Sequence, residues 1–112
     1  ALPALETLDV RDNNVADPAP VASLTTLTWL DLGDNDIADV TSLTALSGLV
    51  SLDLRGNLIT DPSPLLALPN LVFLHLDNNP LDCADPNLLD VLMQLAGLVV
   101  GTNGGQFTHD CG

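Results

Sequence analysis

Apolar residues recur along this chain with a period of 22. Leu8-Asp9-Val10-Arg11-Asp12-Asn13 returns as Leu30-Asp31-Leu32-Gly33-Asp34-Asn35, as Leu52-Asp53-Leu54-Arg55-Gly56-Asn57 and as Leu74-His75-Leu76-Asp77-Asn78-Asn79. Further columns keep the same phase: Leu2, Leu24, Leu46, Leu68; Leu5, Leu27, Leu49, Leu71; Val15, Ile37, Ile59, Leu81; and Val21, Leu43, Leu65. A unit this short cannot enclose a core, so successive units must stack and turn each column into a continuous aliphatic ladder. Within each unit the Leu-x-Leu pair alternates apolar and polar at period two, which predicts a short strand with one buried face. Connections of about nineteen residues are too long for hairpins, so the strands are predicted to run parallel. Parallel sheets usually have both faces covered, but this alternation leaves one face to water.

One column is polar: Asn13, Asn35, Asn57 and Asn79. A turn inside a stack buries backbone groups that have no ladder partner. An amide side chain both donates and accepts, so it can satisfy the backbone of its own turn and an adjacent one. The column is therefore expected to be a structural ladder. On the far side, Asp17-Pro18-Ala19-Pro20, Asp39-Val40-Thr41-Ser42 and Asp61-Pro62-Ser63-Pro64 carry helix-start signals, while the closely spaced prolines oppose a long helix. Short turns of 3₁₀-like or extended character are expected there.

After Leu81 the register breaks. Asp85-Pro86 opens a segment in which Leu88, Leu89, Leu92 and Leu95 recur at helical spacing, with Gly97 as the expected stop. A helix over 86–96 is predicted to lie across the open end of the stack, where a terminal repeat needs a cap. Beyond it, Leu98-Val99-Val100-Gly101 and Gln106-Phe107-Thr108 flank Thr102-Asn103-Gly104-Gly105, a pattern that reads as a hairpin or as a loose loop. The chain thus divides into four repeats over 1–81 and a C-terminal cap over 82–112.

The pattern Leu-x-x-Leu-x-x-Leu-x-Leu-x-x-Asn-x-Ile on a 22-residue period resembles the leucine-rich-repeat family, in the class used by bacterial internalins. The departures are Val10 for Leu, and Pro18 and Pro62 for aliphatics. The resemblance implies an α/β solenoid: a curved parallel β-sheet on the concave face, short 3₁₀ or extended convex segments, a C-terminal capping helix, and work as a protein-binding scaffold. Asn79-Pro80-Leu81-Asp82-Cys83 followed by a helix is similar to the cysteine-containing C-terminal cap of extracellular members, reduced here from four cysteines to two. Two cysteines in the last third of an otherwise thiol-free chain suggest one Cys83–Cys111 disulfide and a secreted, cell-surface or periplasmic location. The alternative is two free buried thiols.

Composition narrows the partners. Aromatic residues make up only 3% of the chain, so the core must be aliphatic. Fifteen acidic residues face two basic ones, and the net charge of −13 opposes nucleic acid and anionic lipid. A basic protein partner fits the field, although the charge also serves solubility alone. No apolar run approaches membrane-spanning length, no signal peptide remains, and Ala1 starts inside a repeat, which suggests that a leader or an upstream region has been removed. A first strand without a cap then implies upstream repeats in a parent chain, or self-association through that edge.

The outward strand positions form three columns: Thr7, Trp29, Ser51, Phe73; Asp9, Asp31, Asp53, His75; and Arg11, Gly33, Arg55, Asp77. Exposed aromatics beside arginine are common interface anchors. Partner binding is therefore assigned to Trp29, Phe73, His75, Asp31, Asp53, Arg55, Arg11 and Asp77. The opposing reading is that Trp29 and Phe73 only cover their neighbours. Three stacked carboxylates invite Ca²⁺, but a line of oxygens is not a converging site, so no metal or cofactor is expected. His75 beside Asp53 and Asp77 lacks a nucleophile, Ser51 being the nearest hydroxyl, and His109 reads as an exposed tail residue. No catalytic set is expected on an open sheet. The runner-up to partner binding is a structural spacer or docking segment of a larger secreted or surface assembly.

Overall fold

The computed structural model describes residues 4–111. Five strands, β1 (Thr7–Asp9), β2 (Trp29–Asp31), β3 (Ser51–Asp53), β4 (Phe73–His75) and β5 (Gln106–Thr108), lie side by side in chain order, all parallel, in an open sheet. Across β1 to β4 the register advances by one repeat: Thr7, Trp29, Ser51 and Phe73 face one another, as do Leu8, Leu30, Leu52 and Leu74. The Leu-x-Leu alternation sends Leu30, Leu32, Leu52, Leu54, Leu74 and Leu76 to the inside, where none has any exposed surface. Leu27, Leu49, Leu71, Leu46, Leu68, Ile37 and Ile59 complete the aliphatic spine. Leu2, placed at the head of one column, lies outside the described residues.

The amide column works as a backbone clamp. Asn57 Nδ2 donates to the carbonyls of Leu54 in its own turn and Leu32 in the preceding one, both at 3.0 Å. Its Oδ1 accepts the Ile37 N–H at 3.1 Å. Asn35 and Asn79 repeat the pattern one unit to either side. Asn13, at the exposed end, donates only within its own turn. Just before each asparagine the chain passes through the left-handed region, with φ of 57° at Asp12, 54° at Asp34, 70° at Gly56 and 59° at Asn78. Asp, Asn and Gly are the residues that tolerate this conformation.

The return segments are α1 (Ala19–Ala22) and two 3₁₀ turns, Thr41–Ala45 and Ser63–Ala67. Asp17, Asp39 and Asp61 precede the capping residue and accept the N–H two positions on, at 3.0, 2.9 and 3.0 Å. Pro18 and Pro62 share a buried column with Val40, so each proline fills an aliphatic position in the core.

The C-terminal segment forms neither the hairpin nor the loose loop that its pattern allowed. Helix α2 (Pro86–Ala96) starts at Asp85, whose side chain accepts the Asn87 N–H at 2.9 Å, and buries Leu88, Leu92 and Leu95. Gly97 does not end the helical path: it is right-handed, with φ −61°, and a π-type turn, Gly97–Thr102, follows and buries Val99. The reversal comes at Gly104, with φ +68°. Gln106–Thr108 then joins the open edge of β4 as a parallel strand, and Phe107 enters the leucine column opposite Leu74. Leu98 to Val100 is spent on the helical turn, so Gln106–Thr108 has no antiparallel partner. Gly105 makes the docking feasible, since a Cβ there would lie 1.7 Å from the Val72 carbonyl oxygen. A Cys83–Cys111 disulfide, with Cα atoms 5.4 Å apart, ties the start of this segment to its end.

Candidate functional site

The concave sheet face carries three rows. The first holds Trp29, Ser51 and Phe73; Trp29 is 37% exposed and Phe73 44%. Between the two rings runs an open groove of about 470 Å³, lined by Thr28, Trp29, Val50, Ser51 and Phe73.

The second and third rows are interlocked. Arg55 forks onto Asp53, with Nη2 2.6 Å from Oδ2 and Nε 3.0 Å from Oδ1. Arg11 does the same to Asp9, at 3.1 Å for each bond, and its Nε also lies 3.2 Å from Asp31 Oδ2. The second repeat has Gly33 where its neighbours have arginine, so Asp31 borrows the guanidinium of the repeat before it. Asp31 and Asp53 are buried, at 5% and 8% exposure. Burial pushes the Asp31 carboxyl above the usual range, with the neighbouring Asp53 and Asp9 charges adding to it against the Gly33 N–H and Arg11. Burial also pushes Asp53 up, but the side chain, backbone N–H and charge of Arg55 outweigh it and hold Asp53 low. The Arg11 N–H and then its guanidinium hold Asp9 low. The three stacked aspartates thus have protein partners, and among the described residues no group of three His, Cys, Asp or Glu side chains could hold a metal ion.

His75 and Asp77 meet through a residue of the cap. Thr108 Oγ1 donates to Asp77 Oδ2 at 2.5 Å and lies 2.8 Å from His75 Nδ1. The hydroxyl has one proton and gives it to the carboxylate, so His75 Nδ1 carries the hydrogen and donates to Thr108. Asp110 Oδ2 accepts the Asn78 N–H at 2.6 Å beside them. The hydroxyl near His75 is therefore Thr108, not Ser51, a placement hidden from the sequence because the pairing of Gln106–Thr108 with β4 was not foreseen. His109 is not an exposed tail residue: it is half-buried, its ring 5.0 Å from Phe107 and its Nδ1 accepting the Cys111 N–H at 3.0 Å. Among the described residues no helix is long and apolar enough to cross a membrane.

Stacked 22-residue units, parallel strands on one face, short helical returns on the other and a column of asparagines bonding the turns define a repeat solenoid with an uncovered concave sheet. Profiles of leucine-rich repeats match residues 25–65 and 47–89, and a further one matches residues 2–19. The chain belongs to the leucine-rich-repeat family. Among solved structures it is similar to internalin C2 of Listeria monocytogenes, with 35% identity and a TM-score of 0.78, over 95% of this chain and 42% of that one. A second Listeria monocytogenes internalin, inlF, matches with 34% identity and a TM-score of 0.68, over 80% of this chain and 26% of that one. A leucine-rich-repeat protein of Leptospira interrogans shares the fold at 24% identity and a TM-score of 0.70, over 96% and 28% of the two chains. This chain therefore spans less than half the length of each. A search of curated proteins finds no match.

Proposed function

We propose that the chain is a non-enzymatic protein-interaction module that takes its partner on the concave face around Trp29 and Phe73. The observation that carries this reading is that the two large aromatics stand partly exposed on the sheet face, flanking an apolar groove. Arg11 and Arg55, more than half exposed, stand on the same face, their guanidinium planes fixed by Asp9 and Asp53, with Asp31 also against Arg11. His75 and Asp77 border the face where the cap strand meets it, and basic character in the partner suits the acidic chain. Similarity to internalins and the disulfide support work outside the cytoplasm, in a secreted, cell-surface or periplasmic protein. The outer edge of β1 supports continuation into further repeats or pairing with a second copy, and Leu5 beside it is 45% exposed.

A standard interface covers about 800 Å² per partner. Four short strands at ordinary spacing offer less, on the order of a few hundred Å², so the rim or neighbouring repeats share the contact. The test compares the wild-type chain with a Trp29→Ala, Phe73→Ala double variant in capturing partners from the source organism's surface fraction. A concave binder loses its partner. A spacer or docking segment of a larger assembly keeps it.

A further inference from the structure

We infer that the slot between Trp29 and Phe73 receives an arginine side chain from a basic segment of the protein partner, held as a flat cation between two aromatic side chains. This rests on the concave-face reading above and goes further by naming the guest. The register sets the geometry. Trp29, Ser51 and Phe73 are successive partners on β2, β3 and β4, so the two aromatics stand two strands apart, about 9.6 Å at the backbone. Ser51 between them is too small to fill the gap, which leaves the groove open.

A planar group between two ring faces needs about 7 Å, one van der Waals contact on each side. The concave curvature of the sheet brings side-chain tips closer together than their Cα atoms. The width therefore suits a flat guest, and charge then selects among flat guests. The chain carries −13, and its two arginines are both forked onto aspartates of the adjacent row. A neutral ring would gain apolar contact alone. A guanidinium gains that contact, the attraction of the ring quadrupoles and the field of the whole chain. Lysine brings the charge without the plane and is more strongly hydrated.

Trp29 is the single tryptophan, so its emission reports on the slot directly. The experiment titrates that emission with three blocked hexapeptides at physiological salt: hexa-arginine, hexa-lysine, and a neutral peptide of Gly, Ser and Phe. Hexa-arginine is expected to shift the emission with a Kd about five-fold lower than hexa-lysine. Phe73→Ala is expected to remove that difference, and Ser51→Leu, which plugs the slot, to do the same. Met93→Ala, on the exposed side of the capping helix, leaves it unchanged, and an unaltered urea midpoint for each variant establishes that the fold persists. Equal Kd values for the two basic peptides, or a preference that survives both Phe73→Ala and Ser51→Leu, would overturn the inference. So would a neutral peptide that binds more tightly than hexa-arginine. These results would leave the concave-face reading standing, because that reading fails only if the Trp29→Ala, Phe73→Ala double variant still captures the surface partner.

Discussion

Asn57→Ala tests the stacking logic with a magnitude worked from the hydrogen bonds. Asn57 is 4% exposed and its side chain holds four backbone groups from two turns: the carbonyls of Leu32, Leu54 and Arg55 and the N–H of Ile37. Alanine orphans the Ile37 N–H and removes one bond from each carbonyl, while Leu32 and Leu54 still accept from Asn35 and Asn79. At about 1–3 kcal/mol for the orphaned buried N–H and about 0.5 kcal/mol or more for each bond lost at a carbonyl that keeps another donor, the loss is about 2–4 kcal/mol. Set against a typical total of about 5–15 kcal/mol, this is a large fraction of the stability. Asn13→Ala is the internal control. Asn13 is exposed and bonds only the carbonyls of Val10 and Arg11, which water can reach, so the expected cost is within about 0.5 kcal/mol. Urea unfolding followed by Trp29 emission and by circular dichroism gives both values, provided that the slope with denaturant is unchanged. Equal costs for the two asparagines, or a cost below about 1 kcal/mol for Asn57, would refute the clamp.

Four further outcomes follow from single contacts. Ser42 Oγ is buried without a hydrogen-bond partner, and Pro20 and Pro64 occupy the matching position in the neighbouring repeats, so Ser42→Pro is expected to stabilise by about 1 kcal/mol, read as a rise of a few degrees in Tm by calorimetry. Asp31 is raised by burial, so its stability contribution is present when it is protonated and is lost as pH rises through its folded value. Asp31→Asn should therefore match or exceed the wild type at pH 7 and lose that advantage in acid. Asp53 has the opposite sign, because its low folded value stabilises above the ordinary carboxylate range and that gain disappears as pH falls. Asp53→Asn should then be weaker than the wild type at pH 7 and approach it in acid, both read from urea midpoints across pH. Reducing the disulfide, which spans 28 residues, should lower stability by about 3–4 kcal/mol in the same assay with and without dithiothreitol.

The repeat region was legible because each unit restates the same constraint. Leu52 alone says little, but Leu8, Leu30, Leu52 and Leu74 in phase require parallel strands, and the asparagine column requires a turn that recurs. The same alignment holds a signal that is easy to pass over: Asp12, Asp34, Gly56 and Asn78 form a column of residues tolerant of positive φ, and the structure places all four there. The cap was less legible because it occurs once. Nothing in Gln106-Phe107-Thr108 states that its partner is β4, 33 residues away by register and out of phase with the repeat. Gly105 holds a local clue, in that a glycine beside Gly104 is needed for close approach to Val72, but sequence alone does not identify the neighbour. For the same reason the His75–Thr108–Asp77 chain could not be read in advance, whereas the Trp29, Ser51, Phe73 row followed directly from the period.

The most direct test of the concave-face account is hydroxyl-radical footprinting of the chain alone and with its captured partner. Trp29 stands on the concave face, while Met93, the single methionine, stands 73% exposed on the outer side of the capping helix, so one experiment reads both surfaces. Protection of Trp29 and Phe73 with Met93 oxidised at its free rate is the predicted result. Protection of Met93 with Trp29 and Phe73 labelled as before would contradict the account and assign docking to the cap.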